Sequence, residues 1–244
     1  MYQRFVKDKW FGKTLPYSDW TQDAIKNSDE IFEYYKTAPM MKEITPGNGP
    51  NWKIILESVC PISPFIPKVA EWLDKNNASI SYWTINQPEE CSPEYRDDLN
   101  HLTQDQKESL TIHSDFFKQA EELEEWDRSP ESDEAPFPKL SLNIPLDSNE
   151  GLESIRVYSF GNPSAVQINY KDYVGEFPVE HGFFHKDEVK LEYIENNVSE
   201  LPVIINICQP HSFIISSKTA MKRLALRLRV KDTYREDPWH LLEE

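Results

Sequence analysis

A few short stretches of this chain combine side chains that metal or carboxylate chemistry uses. His113-Ser114-Asp115 sets an imidazole and a carboxylate one residue apart. On a β-strand, residues i and i+2 point to the same side, so such a pair can grip one divalent ion. On a helix they point to different sides and cannot. Around this pair Leu110, Phe116, Phe117, Ala120 and Leu123 fall at approximate helical spacing, which predicts a helix over 103–126. His113 and Asp115 then share an ion only if 111–115 is a strand end and the following helix an inserted lid. Glu131-Ser132-Asp133 repeats the spacing with two carboxylates, in a Pro-rich acidic stretch (129–138) where two solvated charges need no further role. His181-Gly182-Phe183-Phe184-His185 has the i, i+4 spacing of a helical metal pair, but Gly182 and the paired Phe residues favour a packed turn or loop. His211 stands at the edge of one predicted strand and Arg223 at the start of another. Taken alone, that pair is what a structural His and a surface Arg look like.

The elements that must position these groups are clearest in the C-terminal half. Leu140, Leu142, Ile144 and Leu146 alternate with Ser141, Asn143 and Pro145, a strict period of two that predicts a strand with one buried face. Residues 154–160 predict a second strand, closed by Gly161-Asn162-Pro163, and 165–170 a third. Val203-Ile204-Ile205-Asn206-Ile207 is the short apolar run of a strand covered on both faces. Residues 212–216 and 224–230 complete the set; in the latter Leu224, Leu226, Leu228 and Val230 alternate with Ala225, Arg227 and Arg229. A short helix or connecting arm is expected over 186–196. Upstream, helices are expected over 23–36 and 68–75, the latter with Val69, Trp72 and Leu73 inward, and a strand over 79–85, after a short apolar stretch at 52–56. Many short strands separated by turn signals favour a β sandwich or jelly roll.

Composition removes several function classes. The net charge of −16 argues against broad contact with a nucleic-acid backbone, which needs clustered Lys and Arg. The seven glycines form no phosphate loop, and no GxSxG elbow or clustered zinc motif occurs. Cys60, Cys91 and Cys208 are widely spaced and odd in number, as expected of reduced thiols rather than of a disulfide framework. Residues 1–13 lack the shape of a signal peptide and no apolar run reaches membrane-spanning length, so a cytoplasmic protein without membrane association is expected.

The order Pro202-Val203-Ile204-Ile205-Asn206, Pro210-His211-Ser212-Phe213, Arg223-Leu224-Ala225-Leu226-Arg227 resembles the distal half of the 2-oxoglutarate/Fe(II)-dependent oxygenases. Leu142-Asn143-Ile144-Pro145-Leu146 followed by Val157-Tyr158-Ser159-Phe160 is similar to that family's middle strands, especially in its phage and marine-bacterial branch, which implies a phage-encoded protein. The resemblance covers roughly 138–230. It implies a mainly β fold with flanking helices around a double-stranded β-helix (jelly-roll, cupin-like) core. It also implies Fe(II) and 2-oxoglutarate as cofactors, with His211 as the distal metal ligand and Arg223 anchoring the far carboxylate of 2-oxoglutarate, Arg227 and Arg229 being alternative anchors. In that family a His-x-Asp shortly precedes the Leu-Asn-Ile-Pro strand. Here Glu131-Ser132-Asp133 holds the place, so Glu131 and Asp133 join His211 as expected ligands, and His113 with Asp115 is the alternative.

The chain is therefore expected to be a single domain. Residues 1–87 form an N-terminal flank of helices and strands, 88–137 an acidic helical insertion, 138–230 the jelly-roll core and 231–244 a C-terminal tail. The expected function is that of a dioxygenase hydroxylating a protein, small molecule or nucleobase. The Glu at the first ligand position supports two alternatives: a catalytically inactive jelly roll serving as a binding or structural module, and a site preferring Mn(II) or Zn(II), held by Asp133 and His211.

Overall fold

The computed structural model describes residues 10–39, 54–86, 100–101, 103, 111–114, 139–148, 152–160, 182–184, 186–215, 222–233 and 238–243. Their strands are β1 (Gly12–Thr14), β2 (Ile55–Leu56), β3 (Ala78–Asn86), β4 (His113–Ser114), β5 (Leu140–Pro145), β6 (Leu152–Phe160), β7 (Gly182–Phe183), β8 (Val189–Glu195), β9 (Val203–Asn206), β10 (His211–Ile215) and β11 (Arg223–Val230). Among the same residues three α-helices, α1 (Ser18–Lys26), α2 (Ser28–Thr37) and α3 (Pro67–Lys75), precede most of them. The protein is thus mainly β, as expected. None of these helices is long and apolar enough to cross a membrane.

The strands form two antiparallel sheets. The first has the order β1-β9-β5-β11-β3-β2 and the second β7-β4-β10-β6-β8. From β3 onward the chain passes back and forth between them: β3, β5, β9 and β11 lie in the first sheet, and β4, β6, β8 and β10 in the second. Sequence neighbours are therefore mostly not sheet neighbours, and the pairings are long-range.

The alternating Leu residues explain the first sheet's outer face. Leu140, Leu142 and Ile144 of β5, Leu224, Leu226 and Leu228 of β11, and Ile80, Trp83 and Ile85 of β3 share one core with Trp20, Ala24, Ile31, Val69 and Leu73 of the helices. Each such side chain withdrawn from water contributes about 1.5–3 kcal/mol before entropy is counted. Pro67 opens α3, where its fixed φ suits the first turn. Asn77, at φ 53°, turns the chain from that helix into β3. A polar side chain that tolerates the left-handed region suits this tight reversal.

Several expected elements differ. The helix expected over 23–36 is two helices that break at Asn27, whose backbone (φ −96°, ψ 8°) leaves the helical region. Residues 186–196 are neither helix nor arm: a single 3₁₀ turn, Lys186–Glu188, leads into strand β8. As an edge strand that pairs, among the described residues, only with β6, β8 keeps much of its length exposed, so its sequence carries no clean alternation. Residues 113–114 are a strand and not part of a helix. Elsewhere within 88–137, only 100–101, 103 and 111–112 are described, so the insertion, and likewise the strand expected over 165–170, lie outside the described residues.

The most consequential difference concerns β5 and β11. Alternation predicted one buried face, yet every residue of β5 and the first six of β11 are buried. The polar face of this sheet does not meet water; it faces the second sheet. Between the sheets, Val203 and Ile205 pack with Ile155 and Val157 and with Phe11, Tyr193 and Phe213 at one side. Over β3, β11 and β5 the facing residues are polar instead: Ser141, Asn143, Thr84 and Arg223 are all buried.

Candidate functional site

His211 opens β10 and is 2% exposed. Its register partner on one side is Val157 of β6, and on the other side it is His113 of β4. Side chains of directly opposed residues share a sheet face. The two imidazoles accordingly meet, with ring centroids 4.4 Å apart and planes inclined by 51°. Each is held in the same way by its own strand. Nδ1 of His211 lies 2.9 Å from the Gln209 carbonyl, and Nδ1 of His113 lies 3.3 Å from the Thr111 carbonyl. A carbonyl can only accept, so Nδ1 donates in both bonds, and in the neutral imidazole Nε2 is then the nitrogen whose lone pair suits a metal.

β4 owes its place to pairing on both sides. His113 also opposes Phe183 of β7, and Phe184 N–H donates to the Ile112 carbonyl at 2.9 Å. Ile112, Tyr158 and Phe184 form a small apolar cluster on the outer side of this sheet, with Val189 packed against it. The segment read as a packed turn between His181 and His185 is therefore, at Gly182–Phe183, the strand that flanks β4. His181 and His185 themselves lie outside the described residues.

Two residues beyond His211 on the same strand face, Phe213 lies edge-on to the His211 ring at 6.1 Å and 89°. The Arg223 guanidinium stacks on the Phe213 ring, 3.7 Å from its centroid. A cation over an aromatic face is electrostatically favoured, more so where water is excluded. Arg223 is 2% exposed, and its Nε and Nη1 have no hydrogen-bond partner among the described residues. Burial above all, and then the nearby Arg227 charge, push its pKa down to about 9, while Asp147 acts in the opposite direction. Of the alternative anchors, Arg227 is also buried and donates from Nη1 to Ser141 Oγ across the β11–β5 pair. Arg229 lies farther along β11, where burial is lower.

A continuous row thus runs between the sheets: Arg223, Phe213, His211, His113. Two imidazoles side by side suit a first-row divalent ion, and a buried cation with unused donors suits an anion. Among the described residues no group of three or more His, Cys, Asp or Glu side chains comes together. A further protein ligand would come from outside them, and Asp115, Glu131 and Asp133 all lie there. Sequence reasoning passed over Phe213, although its position two residues after His211 already put it on the same strand face. It also passed over the inward polar residues of β3, which sit in what reads as an ordinary apolar strand.

In comparison with known proteins, the chain matches no protein-family model, and no curated protein matches it.

Proposed function

We propose that this chain is a 2-oxoglutarate/Fe(II)-dependent oxygenase built on a double-stranded β-helix. The observation that carries the reading is the meeting of His113 and His211 next to the Arg223–Phe213 stack. The strand orders support the fold. Within the two sheets, the orders β9-β5-β11-β3 and β4-β10-β6-β8 set four strands against four, which supports a jelly roll with β1, β2 and β7 as additions at the edges.

The residues present fit such a metal centre. His113 and His211 would contribute two nitrogens, and Asp115 would contribute the carboxylate by the i, i+2 spacing of a strand end. This favours the alternative ligand pair over Glu131 and Asp133, and the insertion then falls between the first ligands and β5. Iron(II), when bound, would supply the oxygen chemistry by which 2-oxoglutarate, O₂ and a substrate C–H become succinate, CO₂ and a hydroxylated product. Arg223 would bind and orient the distal carboxylate of 2-oxoglutarate, holding the 2-oxo end toward the two histidines. Phe213 would hold the guanidinium in place and exclude water from it. The acidic chain favours a protein or small-molecule substrate over nucleic acid. The catalytically inactive alternative drew its support from Glu131 standing in the place of a His; in the present reading His113, beside His211, would supply that imidazole.

Anaerobic titration with Fe(II) and 2-oxoglutarate tests the proposal. A metal-to-cosubstrate charge-transfer band, followed by succinate release on admitting O₂, is expected. No band and no succinate would overturn it.

A further inference from the structure

Polar atoms without partners cluster on the inner face of the first sheet. Arg223 is opposed by Asn86 of β3 and Pro145 of β5, and Ala225 by Thr84 of β3 and Asn143 of β5. These residues share one face, because opposed residues and residues i, i+2 do so. Among the described residues Arg223 Nε and Nη1, Thr84 Oγ1 and Asn86 Oδ1 are all buried without a hydrogen-bond partner. Thr84 and Arg223 are each 2% exposed. Buried polar groups are nearly always satisfied, and each orphan costs about 1–3 kcal/mol. Orphans that share one face with a buried cation point to a ligand that satisfies them together. Ala225, fully buried between Thr84 and Asn143, presents only a methyl group on this face.

We infer that Thr84 and Asn86 are ligand-binding residues which, with Arg223, form a carboxylate subsite that works without any metal. Arg223 supplies the charge and the Thr84 hydroxyl donates a hydrogen bond. Asn86 donates from Nδ2 after a half-turn of its amide, an exchange of N and O that leaves its shape unchanged. The inference rests on the oxygenase reading only for naming 2-oxoglutarate as the natural occupant; the carboxylate chemistry stands on the orphaned atoms.

The test uses the full chain in EDTA, with glutarate as the probe and glutaramide as its uncharged counterpart. Glutarate is expected to raise the melting temperature and glutaramide to leave it unchanged. Thr84→Val, close in shape, should weaken glutarate about tenfold, the equivalent of one hydrogen bond to a charged group. Its ligand-free melting temperature should be equal or higher, because a buried orphan is removed. Thr84→Ser should keep wild-type affinity to within about threefold. Asn86→Asp would give Arg223 a carboxylate from within the chain, so it should raise the ligand-free melting temperature and abolish glutarate binding. Failure of the wild-type protein to bind glutarate, or equal affinity in wild type and Thr84→Val, would overturn the inference. Glutarate binding without a charge-transfer band would leave this subsite standing and remove the oxygenase reading; turnover with an unchanged KM for 2-oxoglutarate in Thr84→Val would do the reverse.

Discussion

His113 and Glu131 make the sharpest contrast at the scale of single residues, because both offer a first metal ligand. The pairing of His113 with His211 predicts that His113→Ala and His211→Ala each lower Fe(II) affinity by more than the roughly 10–100-fold that loss of a supporting outer-shell contact costs. Glu131→Gln with Asp133→Asn should leave it unchanged. Isothermal titration of Fe(II) under anaerobic conditions measures both, and a loss confined to the second variant would reinstate the acidic pair. Arg223 makes a separate prediction. A buried cation lacking a described carboxylate partner is costly, so Arg223→Met should leave ligand-free stability equal or raise it by up to about 1–4 kcal/mol in urea unfolding. The same variant should lose 2-oxoglutarate binding. Marked destabilisation would mean that Arg223 is a structural residue. The placement of His211 and Arg223 at strand starts was legible in the sequence, because turn signals and apolar alternation mark those strands. The strand at His113 was not, because Leu110, Phe116 and Phe117 give the surrounding sequence a helical spacing, while the pairing of His113 with β7 and β10 is long-range.

At the scale of elements, polar alternation proved informative in a way that one-face burial did not anticipate. Ser141, Asn143, Arg223 and Arg227 looked like a solvent face and are instead the lining between the sheets. Alternation records which residues share a side; what covers that side depends on the second sheet, which local sequence does not encode. β8 illustrates the opposite case, an edge strand whose exposed length gives almost no signal. Its anchor is Tyr193, which lies against β1. The hydroxyls of Tyr193 and Thr14 are 2.6 Å apart, and a Cβ on Gly12 would fall 2.7 Å from the Tyr193 ring, so any larger residue there would have to displace that ring. Burial pushes the Tyr193 phenol up to about 12; its hydrogen bond with Thr14 acts against this and the Glu195 charge with it. Between its ordinary value near 10 and about 12 the unfolded chain releases this proton while the folded chain keeps it. The unfolded state then binds fewer protons, so stability falls as pH rises through that window. Tyr193→Phe should flatten the decline in urea midpoint across it. Part of the slope should persist through Tyr34, which burial likewise raises to about 12. An identical slope in the variant would show that the Tyr193 hydroxyl is not buried against β1.

For the whole molecule, two sheets divide the work. The first carries a helical layer on its Leu-rich outer face and cationic, polar side chains on its inner face; the second carries the facing pair His113 and His211. A chain with a net charge of −16 thus encloses Arg223 and Arg227 away from its own acidic surface. That separation of charge suits the proposed binding of a small anion inside and an exterior that repels polyanions. The mainly β architecture followed from short strands and turn signals, whereas the crossing of the chain between sheets depends on non-local pairing. The central claim is that the histidine pair and Arg223 act as one site, and anaerobic absorption spectroscopy tests it most directly. With Fe(II) and 2-oxoglutarate together, the account predicts a charge-transfer band in the wild-type protein that disappears in His113→Ala, and disappears in Arg223→Met at the same cosubstrate concentration. A wild-type protein that shows no such band and forms no succinate when O₂ is admitted would contradict it.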